Sequence, residues 1–388
     1  MSSTPTRIGF IVGEASGDLL GGAIARAIRA ARPDASFFGV GGPSLREQGL
    51  SSWFDPSEIA IVGVTEVLRK LPRLVRLIEA TARNVIDAEL DALVLIDAPD
   101  FTHRVARKVR ARRPGLPIVK VVAPTVWAWR PERAAQLRPL VDEVLALFPF
   151  EPEVMTRLGG PPTTFIGHPL LDQAELNMQA ERDNERAREI VVLPGSRRSE
   201  IERLAGPFGE TLAVLRDRSG PISCVVPTLP DRAELVQHHV SKWSVAARVV
   251  VGDAERYAAF ARARAGLAAS GTVTLELALA GVPSVVAYKL DALERHVAKR
   301  ITTWAIAMPN LVADRLIMPE LLNEMVRPDR IARLLERLLE DTPERAAQCE
   351  GFALVRKRLS ATRPAAETAA ARILQHLEPD QPRFATGT

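Results

Sequence analysis

Two aspartates stand at the end of an apolar run in Ile96-Asp97-Ala98-Pro99-Asp100-Phe101. A carboxylate at the mouth of a strand can take the proton from an attacking hydroxyl. Asp97 is expected to point into a crevice and Asp100 to cap the next helix; the plainer reading makes both of them turn residues. Gly13-Glu14-Ala15-Ser16-Gly17-Asp18 follows another apolar run. Its glycines permit a tight turn and close approach of a ligand to Glu14 and Ser16. The alternative is a simple strand-to-helix turn capped by Ser16 or Asp18. Pro124-Thr125-Val126-Trp127-Ala128-Trp129-Arg130-Pro131 puts two of the five tryptophans into one loop. Trp127 and Trp129 can offer apolar faces to a sugar or an acyl chain, or pack into the core.

Two further segments suit an anion. In Leu193-Pro194-Gly195-Ser196-Arg197-Arg198-Ser199-Glu200, the amides of Gly195 and Ser196 would open a helix. A helix N-terminus attracts phosphate, and Arg197 adds a charged donor. Ser270-Gly271-Thr272-Val273-Thr274-Leu275-Glu276 repeats the pattern with small hydroxylated residues. Glu276 falls in an apolar helix, where a carboxylate is costly unless paired. A ribose diol would pair it, and a core accident is the competing explanation. His168 lies in Gly167-His168-Pro169, beside an expected domain boundary where a ligand could reach it.

All of these segments follow apolar runs, so the elements that position them can be read next. Strands are expected at Ile8–Val12, Ser36–Val40, Ala92–Ile96, Ile118–Val122, Glu143–Leu147 and Thr163–Ile166. A second series runs through Ile190–Leu193, Ser223–Val226, Arg248–Val251, Ala265–Ala268 and Ser284–Ala287. Helical patterns separate them, including ones at 19–31, 65–89, 101–113, 199–217, 272–280 and 291–300. Strands alternating with helices give parallel sheets, and unbroken apolar strands are those with both faces covered. The fold class is therefore α/β, with two doubly wound domains. The polar stretch 172–189 divides them, only helical patterns follow residue 327, and the tail from 378 is expected to fray.

Composition excludes several classes of function. A charged fraction of 25% and a hydrophobic fraction of 47% describe an ordinary globular chain rather than a disordered one. Two cysteines make neither a disulfide framework nor a four-thiolate zinc site, and the six histidines form no metal motif. A net charge of +4, carried mostly by arginine, gives little support to nucleic-acid binding but suits an anionic substrate or a membrane surface. No secretory signal is visible, and Ala265–Tyr288 has too many Gly, Pro, Ser and Thr residues for a bilayer span. Residues 65–86 interleave Leu68, Leu71 and Leu74 with Arg69, Lys70, Arg73 and Arg76, and Pro72 is expected to start or interrupt the helix. Such a segment can lie on an anionic membrane, or pack on the sheet with a solvated basic face.

Together the five segments resemble the signature set of the lipid-A-disaccharide synthases, in order and spacing, from about residue 7 to 375. Val126-Trp127-Ala128-Trp129-Arg130 is the most specific element, while the Ser-Gly-Thr…Glu element is shared more widely among nucleotide-sugar enzymes of the GT-B fold. Thr102 stands where Asn is expected, and Thr302–Ala307 is more apolar than expected. The resemblance implies a GT-B-like arrangement of two Rossmann-like domains facing a cleft. Residues 1–170 would bind the acceptor and face the membrane, 171–345 would bind the UDP-sugar, and helices in 346–388 would cross back to the first domain. It further implies an inverting transfer from UDP-2,3-diacylglucosamine to 2,3-diacylglucosamine 1-phosphate, giving a β-1′,6-linked disaccharide and UDP without metal or cofactor. The enzyme would sit peripherally on the cytoplasmic face of a Gram-negative inner membrane, against anionic lipid. Asp97 would be the general base, with Asp100, His168 and Glu14 as competitors, and Arg197 the leaving-group cation. Gly195, Ser196, Ser270, Gly271, Thr272, Glu276 and Asn310 would hold the UDP-sugar. The oligomeric state stays open, a homodimer included. Two rivals are a soluble UDP-N-acetylglucosamine 2-epimerase and a non-catalytic membrane scaffold. The basic segment and the tryptophan pair speak against the first, and the two anion turns with Asp97 against the second.

Overall fold

The computed structural model describes residues 5–59, 64–173, 188–291, 295 and 301–378; for 64–71 only the backbone is described. Strands form where the apolar runs are unbroken. β1 (Arg7–Val12), β2 (Ser36–Val40), β3 (Ser51–Ser52), β4 (Ala92–Ile96), β5 (Ile118–Val121), β6 (Glu143–Ala146) and β7 (Thr163–Phe165) build one sheet, ordered β3-β2-β1-β4-β5-β6-β7. β8 (Glu189–Leu193), β9 (Ser223–Thr228), β10 (Ala247–Val251), β11 (Ala263–Ala269), β12 (Ser284–Tyr288) and β13 (Glu320–Leu322) build the other, ordered β10-β9-β8-β11-β12-β13. Every pairing is parallel, as in β1 with β4, where Val12 lies opposite Ile96, and β8 with β11, where Leu193 lies opposite Ala268. β3 and β13 had no expected counterpart.

The order of each sheet reverses at one place, between β1 and β4 in the first and between β8 and β11 in the second. Ligands of doubly wound sheets bind at such switch points, at the carboxyl ends of the strands. Four of the five segments named above leave those four strand ends, and the tryptophan loop leaves β5 beside them.

The chain divides into two units: residues up to Pro169 with those from Ala361 onward, and Leu170–Ser360. The helix Pro343–Leu359, expected among the crossing helices, thus belongs to the second unit. The break at 360–364, ending in Pro364, separates it from the helix Ala365–Gln375. That last helix buries Ala369, Ala370 and Ile373 against Leu20, Ile24 and Ile28 of the first unit. Glu143, buried at the start of β6, accepts hydrogen bonds from Arg372 (2.7 Å) and His376 (2.8 Å) and so fastens it. The opposite face of the first sheet is covered by the helices Val64–Asp87 and Pro99–Arg112, through Ile78, Ala82, Val85, Val105 and Val109.

Val64–Asp87 runs as one helix with Pro72 inside it, so the proline neither starts nor interrupts it. The expected helix at 291–300, the dividing stretch 172–189 and the tail lie mostly outside the described residues. No described helix is long and apolar enough to cross a membrane.

Candidate active site

In the first unit the turns after β1 and β4 touch. A Cβ on Gly17 would lie 2.4 Å from Asp97 Oδ2, and one on Gly13 would lie 2.2 Å from Ala98 Cβ. The two glycines therefore let the turns pack together, and Asp97 rests its carboxylate on the first turn of the helix Ala15–Ala31. Glu14, the N-cap residue of that helix, and Ser16 are exposed beside it. Asp18 is buried and serves a neighbour. Its carboxylate accepts from the amides of Gly42 (2.7 Å) and Ser44 (2.8 Å), capping the helix Pro43–Glu47.

The turn that carries Asp97 is strained. Asp97 (φ +53°) and Ala98 (φ +37°) both lie in the left-handed region. Non-glycine residues are held there only when the surroundings insist, and such strain gathers at functional sites. The Asp97 carbonyl accepts from Lys120 Nζ (2.7 Å) and Thr102 Oγ1 (3.0 Å), and Thr102 also donates to the Ala98 carbonyl (3.0 Å). A threonine at 102 thus does local hydrogen-bonding work where asparagine was expected. Burial raises the Asp97 pKa above the ordinary carboxylate value, and the Lys120 charge offsets part of the rise. A base needs such an upward shift. Val122 (φ +68°) and Arg130 (φ +52°) add two more left-handed residues at the neighbouring β5 end.

Asp100 does not cap its helix. The N-cap is Ala98, and Asp100 stands in the first turn with its side chain 75% exposed, paired with Arg133 at 2.7 Å. Trp127 is half-buried. It packs edge-on to Phe150, and its indole N–H donates to Glu151, whose buried carboxyl is pushed up to about 8 by desolvation. Trp129 is also half-buried, with the Arg130 guanidinium over its ring. His168 is buried against Phe148, and burial lowers its pKa to about 4, so it is neutral near pH 7. Leu74 turns inward onto the core with Leu77 and Ile78, because it shares their helical face; Val75, Arg73 and Arg76 point outward. Arg73 pairs with Glu58 at 2.6 Å. The side chains of Leu68, Arg69, Lys70 and Leu71 lie outside the described residues.

In the second unit a pocket of ≈ 270 Å³ opens at the β8–β11 switch point. Gly195, Ser196, Arg197, Ser270, Gly271 and Thr272 line it, as expected from their turns, and Arg256 joins them. The size suits part of a nucleotide, near the lower end of small-ligand sites. A second pocket, ≈ 420 Å³ and lined by Arg29, Phe38 and Trp53 among others, lies at the β3 edge of the first unit with no carboxylate or histidine in its wall.

The first anion turn carries its own anion. Glu200 Oε2 accepts from the amides of Ser196 (3.1 Å) and Arg197 (3.2 Å), while Oε1 accepts from the Arg197 guanidinium (2.7 Å) and the Tyr288 hydroxyl (3.2 Å). The Ser196 amide expected to hold phosphate is therefore engaged, and the turn's donor toward a ligand is Arg197, 67% exposed. The second turn is open: the amides of Gly271, Thr272 and Val273 have no acceptor among the described residues. Ser270 instead donates its hydroxyl to the Ile306 carbonyl (2.7 Å).

Glu276 is buried, and its pKa is raised by that burial, with Arg256 opposing. Arg256 Nε lies 3.1 Å from Glu276 Oε2, but the N–H direction misses it, so both atoms are buried without a hydrogen-bond partner. The pair is held instead by Arg256 Nη2, which donates to Glu276 Oε1 at 3.4 Å. Arg256 drew no notice in the sequence, where it is one arginine among many. Asn310 departs from the expectation of sugar contact. It is fully buried, donates to Met318 O and Glu320, and accepts from the amides of Ile317 and Met318. Glu320 in turn accepts from the amides of Ile306 and Ala307, so Asn310 braces the segment that Ser270 bonds.

If Glu276 holds the ribose, Glu276→Ala should weaken UDP binding about tenfold or more, since hydrogen bonds to a charged group are the strong ones. Calorimetry with UDP and 2′-deoxy-UDP separates the routes. A loss confined to UDP places Glu276 on the diol, an equal loss with both places its effect on Arg256, and an unchanged affinity removes Glu276 from the site.

Two parallel sheets with ligand turns at both switch points define the GT-B class of architecture. The fold matches MurG of Acinetobacter baumannii (TM-score 0.60, 16% identity, 96% of this chain and 100% of that one). It matches equally a UDP-GlcNAc 2-epimerase from Methanocaldococcus jannaschii, solved with UDP-GlcNAc and UDP (TM-score 0.60, 11% identity, 96% and 100%). The sequence decides within that class. Residues 8–374 match the family model of lipid-A-disaccharide synthetase. A lipid-A-disaccharide synthase of Rhodopseudomonas palustris strain HaA2 is 50% identical over 353 residues, 89% of this chain and 90% of that one, and one of Ruegeria pomeroyi is 40% identical over 368. The chain belongs to the lipid-A-disaccharide synthetase family, and so is a glycosyltransferase of lipid A biosynthesis.

Proposed function

We propose that the chain transfers a diacylglucosamine unit from UDP-2,3-diacylglucosamine to the 6-hydroxyl of 2,3-diacylglucosamine 1-phosphate, with inversion at the anomeric carbon. The observation that carries this reading is the division of labour between the units: a half-buried carboxylate with a raised pKa in the first, a pocket sized for part of a nucleotide with cationic donors in the second. Asp97 takes the proton from the acceptor hydroxyl as its oxygen attacks C1. The C1–O bond to the diphosphate breaks, and Arg197 with the open amides of Gly271–Val273 receives the charge that leaves with UDP. Glu276 and Arg256 hold the ribose end. Glu14 and Ser16 flank the acceptor, Asp100 keeps Arg133 near it, and the Trp127–Trp129 loop with His168 supplies apolar walls for sugar or acyl chain. An acceptor assay tests this reading. UDP release should require an acylated acceptor bearing the 1-phosphate and a free 6-hydroxyl; release that ignores the acceptor would favour isomerase chemistry.

We further propose that the enzyme works peripherally at the cytoplasmic face of the inner membrane; acylated substrates call for a membrane surface, and the outward residues Arg73, Val75 and Arg76 support a contact with anionic lipid. Each basic residue near such a surface contributes about 1 kcal/mol. Replacing Arg69, Lys70, Arg73 and Arg76 by Ser should therefore release the protein from anionic vesicles in a sedimentation assay while UDP binding persists. Undiminished sedimentation would move the membrane contact elsewhere.

A further inference from the structure

Lys120 stands in the middle of β5, opposite Leu95 of β4, with 1% of its surface exposed. A lysine so placed in an apolar strand is expensive, and long charged side chains are almost never fully buried without a partner. Its Nζ reaches along the sheet to one carbonyl, that of Asp97, at 2.7 Å. The same oxygen accepts from Thr102 Oγ1 at 3.0 Å. Lys120, with the Thr102 hydroxyl whose single proton is shared between the Asp97 and Ala98 carbonyls, fixes the direction of that peptide and with it the left-handed backbone at Asp97 and Ala98. The carboxylate of Asp97 occupies space that the missing Cβ of Gly17 leaves open.

We infer that Lys120 is a positioning residue for the base: it holds the Asp97 turn in its strained form and brings a buried positive charge to that turn. This inference rests on the assignment of Asp97 as the base. The surroundings agree with it. Burial pulls the Lys120 ammonium down to about 8, and the carboxylates of Asp97 and Glu14 oppose that pull. Its charge in turn lowers the pKa of Asp97 and, with burial, that of His103. Asp100, Arg107 and Arg133 are the other charged groups that act on His103. His103 is pushed down to about 3 and stays neutral over the working range, so it adds no charge beside Asp97 there.

Two substitutions test this. Lys120→Met removes charge and donor; Lys120→Gln removes the charge but keeps a donor, and serves where the first fails to fold, with UDP binding as the check that the chain is folded. Losing a nearby positive charge raises a carboxyl pKa, so the acid limb of the kcat/KM profile should move up by about one pH unit in both variants. At the lower end of the range kcat should then fall by about tenfold, with UDP affinity unchanged. In an Asp97→Asn background either change should have almost no further effect, since both act through one carboxylate. An unmoved acid limb in a folded variant, or losses that multiply independently with Asp97→Asn, would overturn the role of Lys120 and leave the base assignment standing. A near-normal Asp97→Asn enzyme would overturn the base assignment itself, and the role of Lys120 with it.

Discussion

Asp97→Asn should lower kcat by about 10²–10⁴-fold, the span usual for general-base help. Asparagine preserves the shape of the side chain and the packing on Gly17, where a Cβ would come within 2.4 Å of Oδ2. What disappears is the basic oxygen. UDP affinity should stay unchanged, because the pocket proposed for UDP is built from residues of the other unit. The raised pKa sets a pH signature in the native enzyme. Catalysis needs the ionised form, so kcat/KM should decline on acidification earlier than an ordinary aspartate would dictate. Asp100→Asn is the contrasting variant. Its carboxylate is solvated and paired with Arg133, so its loss should matter far less. Near-normal turnover in Asp97→Asn with a dead Asp100→Asn or Glu14→Gln would transfer the role.

Arg197→Ala should cost about 10²–10³-fold in kcat, comparable to removing one donor that meets developing charge. The guanidinium is held by one buried carboxylate, Glu200, which Tyr288 steadies in turn. Such a brace keeps a long flexible side chain in one place before the diphosphate begins to leave. Steady-state kinetics separates the roles. A fall in kcat with little change in KM marks an interaction formed in the transition state, and a rise in KM alone would make Arg197 a uniform binding residue.

Much of this was legible in the chain because parallel sheets write themselves as unbroken apolar runs. Ala92–Ile96 and Ser36–Val40 were readable to the residue. The edge strands Ser51–Ser52 and Glu320–Leu322 were not, since two or three residues are too few to carry a periodicity. The switch-point turns stood out through glycine, serine and acidic residues directly after strands. What they do to one another was hidden. Glu200, four residues after Ser196, occupies the amide that seemed free for phosphate, and Asp18 caps a helix that begins 25 residues later in the chain. Asn310 looks like a polar contact in an apolar loop, yet all its bonds are internal. Lys120 did leave a signal, a lone lysine inside Ile118-Val119-Lys120-Val121, which a buried strand cannot hold without a reason. Arg256 left none, because its meaning depends on Glu276 lying beside it in space.

The most direct measurement is to incubate the purified protein with both acylated substrates, quantify UDP, and determine the linkage and anomeric configuration of the product by NMR. One UDP per new β-1′,6 bond is the expected result. UDP formed without a glycosidic bond, an isomerised donor, or a product that retains the donor's configuration would contradict an inverting transfer based on Asp97.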